Sequence, residues 1–304
     1  MRIGGLFPGQ GSQQVGMGRE LADANSEARD VFAEADRSLG FALSKLCFEG
    51  PLEELTLTQN SQPAILSTSY ACFVAAGIQI HSAAGHSLGE YTALVSAGVL
   101  SFGDAVSLVH KRGRYMQEAV PVGEGKMLAV MGPSEEEIQA VIESIEEGVC
   151  EIANLNSPGQ TVVAGDAQGV EAFSQAMKGG KLIPLNVSAP FHCRLMTPAA
   201  AKLAADLDAT TFNEPAFPVY ANVTAQPVTS GSDARELLKR QVCGTVRWTD
   251  SMLAMVAGEK LSHCVEFGPG GVLTKLLKRI TNDVQRLEVY DTGSIDKVKA
   301  ALES

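Results

Sequence analysis

The stretch Ala84-Gly85-His86-Ser87-Leu88-Gly89-Glu90 constrains this chain more than any other. It reads G-x-S-x-G, a pattern that sets a serine on a tight turn between a strand and a helix. A side chain at Gly85 or Gly89 would collide with the neighbouring strand or the start of the helix, and such a turn needs positive φ. The flanks agree with this reading. Ile78 to Ala84 leads in as a short strand, and Leu88 to Val95 leads out with apolar residues at helical spacing. Ser87 then stands at a helix N-terminus, where backbone N–H groups and the dipole favour a developing oxyanion.

The first strand is read at Ile3 to Phe7, closed by the loop Pro8-Gly9-Gln10-Gly11-Ser12-Gln13. Two phosphate-binding patterns fail there: Gln14 stands where G-x-G-x-x-G needs a glycine, and no Gly-Lys-Ser/Thr ending exists. Gln10 and its neighbours are then either a plain turn or one wall of a catalytic pocket. Residues 19–58 read as mainly helical, with Leu21, Ala24, Ala28, Val31, Phe32 and Ala35 on one face. Gln62-Pro63-Ala64 opens an apolar helix to Ala76 that reads as scaffold, and Asp104 to Val120 forms another carrying Arg112.

From Lys126 the pattern changes. Lys126–Gly132, Cys150–Asn156, Gln160–Gly165 and Lys181–Val187 read as strands, with helices at Ser134–Glu147 and Ala167–Lys178. Ser134 and Glu137 have capping-box spacing. The order β-α-β-β-α-β is ferredoxin-like. The expectation is a ferredoxin-like small domain, residues 125–191, inserted into a large α/β domain made of residues 1–124 and 192–304. In that later part, helices are read near Pro198–Leu207, Arg235–Val242, Thr249–Ala257 and Val272–Ile280, with strands at Pro218–Val223 and His263–Phe267. Short apolar runs alternating with helices suggest a mostly parallel sheet covered on both faces.

Composition then excludes whole classes. A net charge of −11 argues against nucleic-acid binding, which needs a basic face. An anionic substrate would need positive charge placed locally. The six cysteines are scattered without a C-x-x-C pair, so neither a zinc nor a redox motif is supported and a reducing, cytoplasmic setting is expected. No apolar run approaches the roughly 18 residues of a membrane span, and Met1–Phe7 is too short for a signal peptide.

A serine needs a base. Of His81, His86, His110, His192 and His263, His86 adjoins the serine but points away on a tight turn, where it can shape the pocket. His192 lies in Ser188-Ala189-Pro190-Phe191-His192-Cys193, where the small domain returns to the large one. That is an inter-domain cleft, so His192 is either a structural loop histidine or the base.

These residues carry a resemblance. Phe7-Pro8-Gly9-Gln10-Gly11-Ser12-Gln13, Gly85-His86-Ser87-Leu88-Gly89-Glu90-Tyr91 and Arg112-Gly113-Arg114-Tyr115-Met116-Gln117 are followed in order by Asn156-Ser157-Pro158-Gly159-Gln160. Ala189-Pro190-Phe191-His192, Asn222-Val223, Val246-Arg247-Trp248 and Glu266-Phe267-Gly268-Pro269-Gly270 complete the series. In this the chain resembles the malonyl-CoA:acyl carrier protein transacylases of type II fatty acid synthesis and polyketide acyltransferase domains.

The resemblance implies an α/β-hydrolase-like large domain with a parallel core, and a cytoplasmic, monomeric enzyme without metal or cofactor. Its partners would be malonyl-CoA and acyl carrier protein. It implies Ser87 as nucleophile, His192 as base and Gln241 as the residue whose carbonyl orients it. Backbone N–H groups of Gln10 and Leu88 would form the oxyanion hole. Arg112 would clamp the free malonyl carboxylate, with His86, Phe191, Gln160 and Asn222 around the substrate. Arg194, Lys275, Lys278 and Arg279 are candidates for docking the acidic carrier, against the plainer reading of solubilising charge. The alternative is a serine hydrolase with a triad drawn from Ser87, Asp166 and His192. Asp166, however, falls at a strand end with a turn role of its own, and a general esterase leaves Arg112 without a task.

Overall fold

The structure, a computed structural model, describes residues 1–121, 123–187 and 189–303. The return loop before His192 is therefore described except at Ser188, which lies outside these residues. Two sheets organise the chain. The first holds β1 (Ile3–Phe7), β2 (Ser82–Gly85), β7 (Val219–Tyr220), β8 (His263–Phe267) and β9 (Gln285–Val289), all parallel, in the order β7-β2-β1-β8-β9. The second holds β3 (Gly125–Met131), β4 (Cys150–Ser157), β5 (Gln160–Asp166) and β6 (Lys181–Pro184), all antiparallel, in the order β4-β5-β3-β6.

Every residue of β1, β2 and β8 is buried, as befits parallel strands covered on both faces. The chain fills one side of β1 with β2 and later the other side with β8. Carboxyl ends of strands at such a reversal form a natural crevice. Phe7 pairs with Gly85 across β1 and β2, so the loop bearing Gln10 and the turn bearing Ser87 leave the sheet side by side.

Gly85 and Gly89 are required for space and not for their φ. A Cβ on Gly85 would sit inside the backbone of Gly89, and one on Gly89 would overlap the Phe7 carbonyl. The positive φ, however, belongs to Ser87 itself, at 52°. The helix Gly89–Ser96 follows at once.

The scaffold helix begins earlier than its sequence suggested, at Thr58, and runs to Ala76 with Pro63 in its second turn. The strand expected at Pro218–Val223 shrinks to Val219–Tyr220, because the chain turns back and Ala221 N–H donates to the Gln226 carbonyl. The strand β9 and the helix Thr292–Glu303 were not anticipated. Of the β9 residues only Val289 is buried, so Gln285-Arg286-Leu287-Glu288 gives little apolar signal at this sheet edge.

In the second sheet Leu128, Val130 and Val163 pack with Ile138, Val170 and Phe173 from the helices Glu135–Glu143 and Ala167–Ala176. The capping box is present: Ser134 Oγ accepts the Glu137 N–H while the Glu137 carboxylate accepts the Ser134 N–H. The far edge of β4 is stitched to the first sheet's half of the chain. Leu155 N–H donates to Val246 O, and Val246 N–H to Ala153 O, each at 2.9 Å. Among the described residues, no helix is long and apolar enough to cross a membrane.

Gly85→Ala is expected to lower unfolding free energy in urea by about 3 kcal/mol or more, because the new Cβ meets backbone that cannot move aside. Gly293→Ala, whose Cβ would meet only Asp291 Oδ1 at 3.8 Å, should change it by less than about 1 kcal/mol.

Candidate active site

Ser87 lines a cavity of about 190 Å³ bounded also by Gln10, Gln62, His86, Leu88, Arg112, Asn154, Phe191 and His192, among others. This is small beside the roughly 300–1,000 Å³ of sites for drug-sized ligands. A larger and more open groove of about 590 Å³, between Phe41, Lys45, Glu54 and His110, lies away from these groups. The chemistry is therefore in the smaller space.

Ser87 Oγ lies 2.7 Å from His192 Nε2. On the far side of the ring, His192 Nδ1 is 3.0 Å from the Gln241 backbone carbonyl. That acceptor fixes the tautomer, with the proton on Nδ1 and a free lone pair facing the serine. His192 has a φ of 61°, so both members of the pair occupy the left-handed region that non-glycine residues seldom adopt. Burial, then the charge of Arg112, pushes the imidazole down to about 3, so it is neutral at physiological pH. A hydroxyl in contact with a neutral imidazole can give up its proton as it attacks.

Arg112 is only 2% exposed. It projects from the helix Phe102–Glu118, and its Nη2 donates to Ser87 Oγ and to Gln241 Oε1, both at 3.1 Å. Nη1 donates to Gln62 Oε1 at 2.7 Å. In the basic run Lys111-Arg112-Gly113-Arg114, a pattern usual for a solvated helix face, Arg112 is buried while Arg114 is exposed. A buried guanidinium fork beside the serine has the geometry and charge to bind a carboxylate.

The other candidates are placed unevenly. Gln10 and Leu88 line the cavity on either side of Ser87. Phe191 lies in its wall, and His86 is held there by Nε2 at 2.8 Å from Asn156 Oδ1. Asn222 lies beneath the turn, accepting the Ser87 N–H at 2.7 Å and donating to the Gly85 carbonyl at 2.7 Å. Gln160 is placed elsewhere. It begins β5, where its Oε1 accepts from Arg279 at 2.7 Å, and it does not line the cavity. Asp166 caps the helix Ala167–Ala176 by accepting the Gly169 N–H at 2.7 Å. It is not the partner of His192.

Three further residues belong to the site. Gln62 lies in a helix whose pattern reads as apolar scaffold, and a glutamine among apolar neighbours is the signal it carries. Asn154 lines the cavity from β4. Glu90 lies 1% exposed beneath the turn, where Asn222 N–H and Gln241 Nε2 both donate to its Oε2. A charged residue at the second place of an otherwise apolar and small-residue helix, buried from Gly89 to Val95, is the available clue.

Residues 6–296 match the acyl transferase domain family. A malonyl CoA-acyl carrier protein transacylase of Bacillus subtilis (strain 168) is 47% identical over 303 residues, which covers 97% of this chain and 95% of that protein. The crystal structure of the malonyl CoA-acyl carrier protein transacylase from Clostridium perfringens superposes with a TM-score of 0.96 at 38% identity, covering 100% of this chain and 98% of that one. A malonyl-transacylase solved in complex with its type II PKS acyl-carrier protein gives 0.95 at 41% identity, with 100% of both chains covered.

An imidazole held near pKa 3 makes a pH prediction. Protonation removes the lone pair, so serine reactivity falls only as pH drops below the shifted value. Labelling of Ser87 by a phosphonylating reagent should stay level through pH 6.5, the ordinary histidine midpoint. A half-loss at about 6.5 that persists in Glu90→Gln would mean that His192 titrates as a solvated histidine.

Proposed function

The chain belongs to the acyl transferase domain family, and from that premise we propose that it moves a malonyl group from malonyl-CoA to the phosphopantetheine thiol of acyl carrier protein. The observation that carries this reading is the buried Arg112 guanidinium 3.1 Å from Ser87 Oγ. A general acyl or ester site has no use for a desolvated cation there, whereas an acyl group ending in a carboxylate needs one.

Ser87 Oγ passes its proton to His192 Nε2 while attacking the thioester carbonyl. The oxyanion is held by the backbone N–H groups of Gln10 and Leu88, in the field of the helix Gly89–Ser96. Collapse breaks the C–S bond, and the CoA thiolate takes the proton from His192. The malonyl-serine ester is then attacked by the carrier's thiol, whose proton goes to His192 and on to Ser87 Oγ as the ester breaks. The imidazolium formed in each half is favoured by the Gln241 carbonyl. Because the base is an imidazole and the counter-charge a guanidinium, the reaction as written calls for no metal or cofactor. His86, Phe191 and Asn222 shape or support the site, whereas Gln160 does not line the cavity and bonds to Arg279 instead.

We read the parallel sheet and its helices, residues 1–124 and 192–304, as an α/β-hydrolase-like domain. Residues 125–191 are read as a ferredoxin-like insert, in keeping with the β4-β5-β3-β6 order. A cytoplasmic monomer serving fatty acid elongation fits the acidic composition and the absence of cysteine pairs in the sequence. The hydrolase alternative is not favoured, since Asp166 is spent on a helix cap.

The deciding experiment is intact-protein mass spectrometry after brief exposure to malonyl-CoA or acetyl-CoA, with Ser87→Ala in parallel. A malonyl adduct that needs Ser87, survives water and leaves on addition of carrier protein is expected. Rapid loss to water would instead mark a hydrolase. Arg112→Ala should cut malonyl kcat/KM by about 30- to 100-fold, the value of hydrogen bonds to a charged partner, with a smaller loss for acetyl. Equal losses would make Arg112 structural.

For the carrier surface, the helix Val272–Ile280 turns Lys275, Lys278 and Arg279 outward, while Arg194 is already paired with Glu151 at 2.6 Å. Lys278→Glu with Arg279→Glu should weaken transfer to the carrier while sparing acylation by malonyl-CoA. Loss of both steps alike would move the docking face elsewhere.

A further inference from the structure

Glu90 is a buried carboxylate that the reaction above does not use. Its Oε2 accepts from the Asn222 N–H at 3.0 Å and from Gln241 Nε2 at 2.7 Å. Those two residues hold the backbone of Ser87 from both sides. Asn222 Oδ1 accepts the Ser87 N–H, and Gln241 Nε2 also reaches the Ser87 carbonyl at 2.9 Å. Gln241 further supplies the carbonyl facing His192 and the amide oxygen that accepts from Arg112. One carboxylate oxygen thus lies under serine, histidine and arginine together.

Hydrogen bonding alone does not require an acid here, because a neutral amide oxygen could accept the same two donors. The need for charge comes from Arg112. Its hydrogen-bond acceptors, Gln62 Oε1, Ser87 Oγ and Gln241 Oε1, are all neutral, and an isolated buried cation is costly. Glu90 stands one amide away from it through Gln241.

We propose that Glu90 is a positioning residue and the resting counter-charge of the site: it locks Asn222 and Gln241 beneath Ser87 and balances Arg112 until the substrate's carboxylate takes over that task. Two anions then share one cation, and Glu90 yields its charge by taking up a proton. Its environment suits that exchange. Burial raises its pKa to about 7, against the pull of its hydrogen bonds from Asn222 and Gln241 and of the Arg112 charge. The ionisable groups that act on this pocket are Arg112 from the helix Phe102–Glu118, Tyr91 beside Glu90, His192 across Arg112, and His86, which acts on His192 in turn.

This inference rests on Arg112 receiving the acyl carboxylate, and the test separates the two. KM for Ser87 acylation is measured with malonyl-CoA and with acetyl-CoA, in wild type, Glu90→Gln and Glu90→Ala. Glu90→Gln keeps an acceptor and removes the competing charge. Its malonyl KM should fall relative to its acetyl KM by about tenfold, the scale of one buried charge at several ångströms. Glu90→Ala removes the acceptor as well, and should lower kcat with both donors where Glu90→Gln restores it.

A second measurement needs no variant: malonyl-CoA added to wild-type protein in weak buffer near pH 7.5 should draw a proton from solution, and acetyl-CoA should not. An unchanged KM ratio in Glu90→Gln, or no proton uptake by wild type, overturns the counter-charge. A wild type with equal KM for both donors sinks the malonyl reading and this proposal with it. A malonyl preference untouched by Glu90→Gln sinks this proposal alone.

Discussion

Ser87 is held at a φ of 52°, a backbone state that costs a residue with a side chain about 1–3 kcal/mol, and much of the molecule exists to offset that strain. The hold is local and distant at once. Locally, Gly85 and Gly89 leave out the two side chains that would block the turn, and His86 N–H is anchored on the Phe7 carbonyl at 3.0 Å. From far along the chain, Asn222 takes the Ser87 N–H and Gln241 its carbonyl. The strained serine is therefore a product of the parallel sheet. β7 delivers Asn222, β1 delivers Phe7, and β2 ends in the turn.

The two sheets divide the labour. The parallel sheet supplies the serine, and the helices Thr58–Ala76 and Gly231–Gln241 supply the arginine's partners Gln62 and Gln241. The antiparallel sheet contributes a wall, with Met127 from β3 and Asn154 from β4, and the loop leaving β6 brings Phe191 and His192 back over the serine. The backbone stitches between Ala153, Leu155 and Val246 fix the spacing of the halves. The 2.7 Å contact between serine and histidine thus depends on a seam that contains neither.

Much of this was legible in the sequence, and what was not has identifiable causes. The strands β1 and β8 announced themselves as unbroken buried runs, and β3 to β5 as apolar segments between turns. The turn at Ser87 was fixed by two glycines whose absence of Cβ is sterically required. Edge strand β9 was missed because burial there reaches one residue in five, so hydropathy carries no pattern. Gln160 was assigned to the substrate by its place in a motif, but Arg279 claims its side chain from a distant helix. The burial of Arg112 is not legible in sequence, because a lysine–arginine run on a helix looks the same whether one of its members faces solvent or core. Glu90 and Gln62 were hidden for a shared reason: their partners lie 151 and 50 positions away, beyond any local pattern.

The acceptor behind His192 is a main-chain carbonyl at the last residue of the helix Gly231–Gln241. In a Ser-His-Asp site the equivalent acceptor is a side chain, and one codon can delete it. Here any residue at position 241 would present the same oxygen, aided by the negative end of the helix dipole. Point substitution cannot erase that element of the site. It can be lost only by displacing the helix end, which places its inheritance in the packing of the fold and not in the identity of one amino acid.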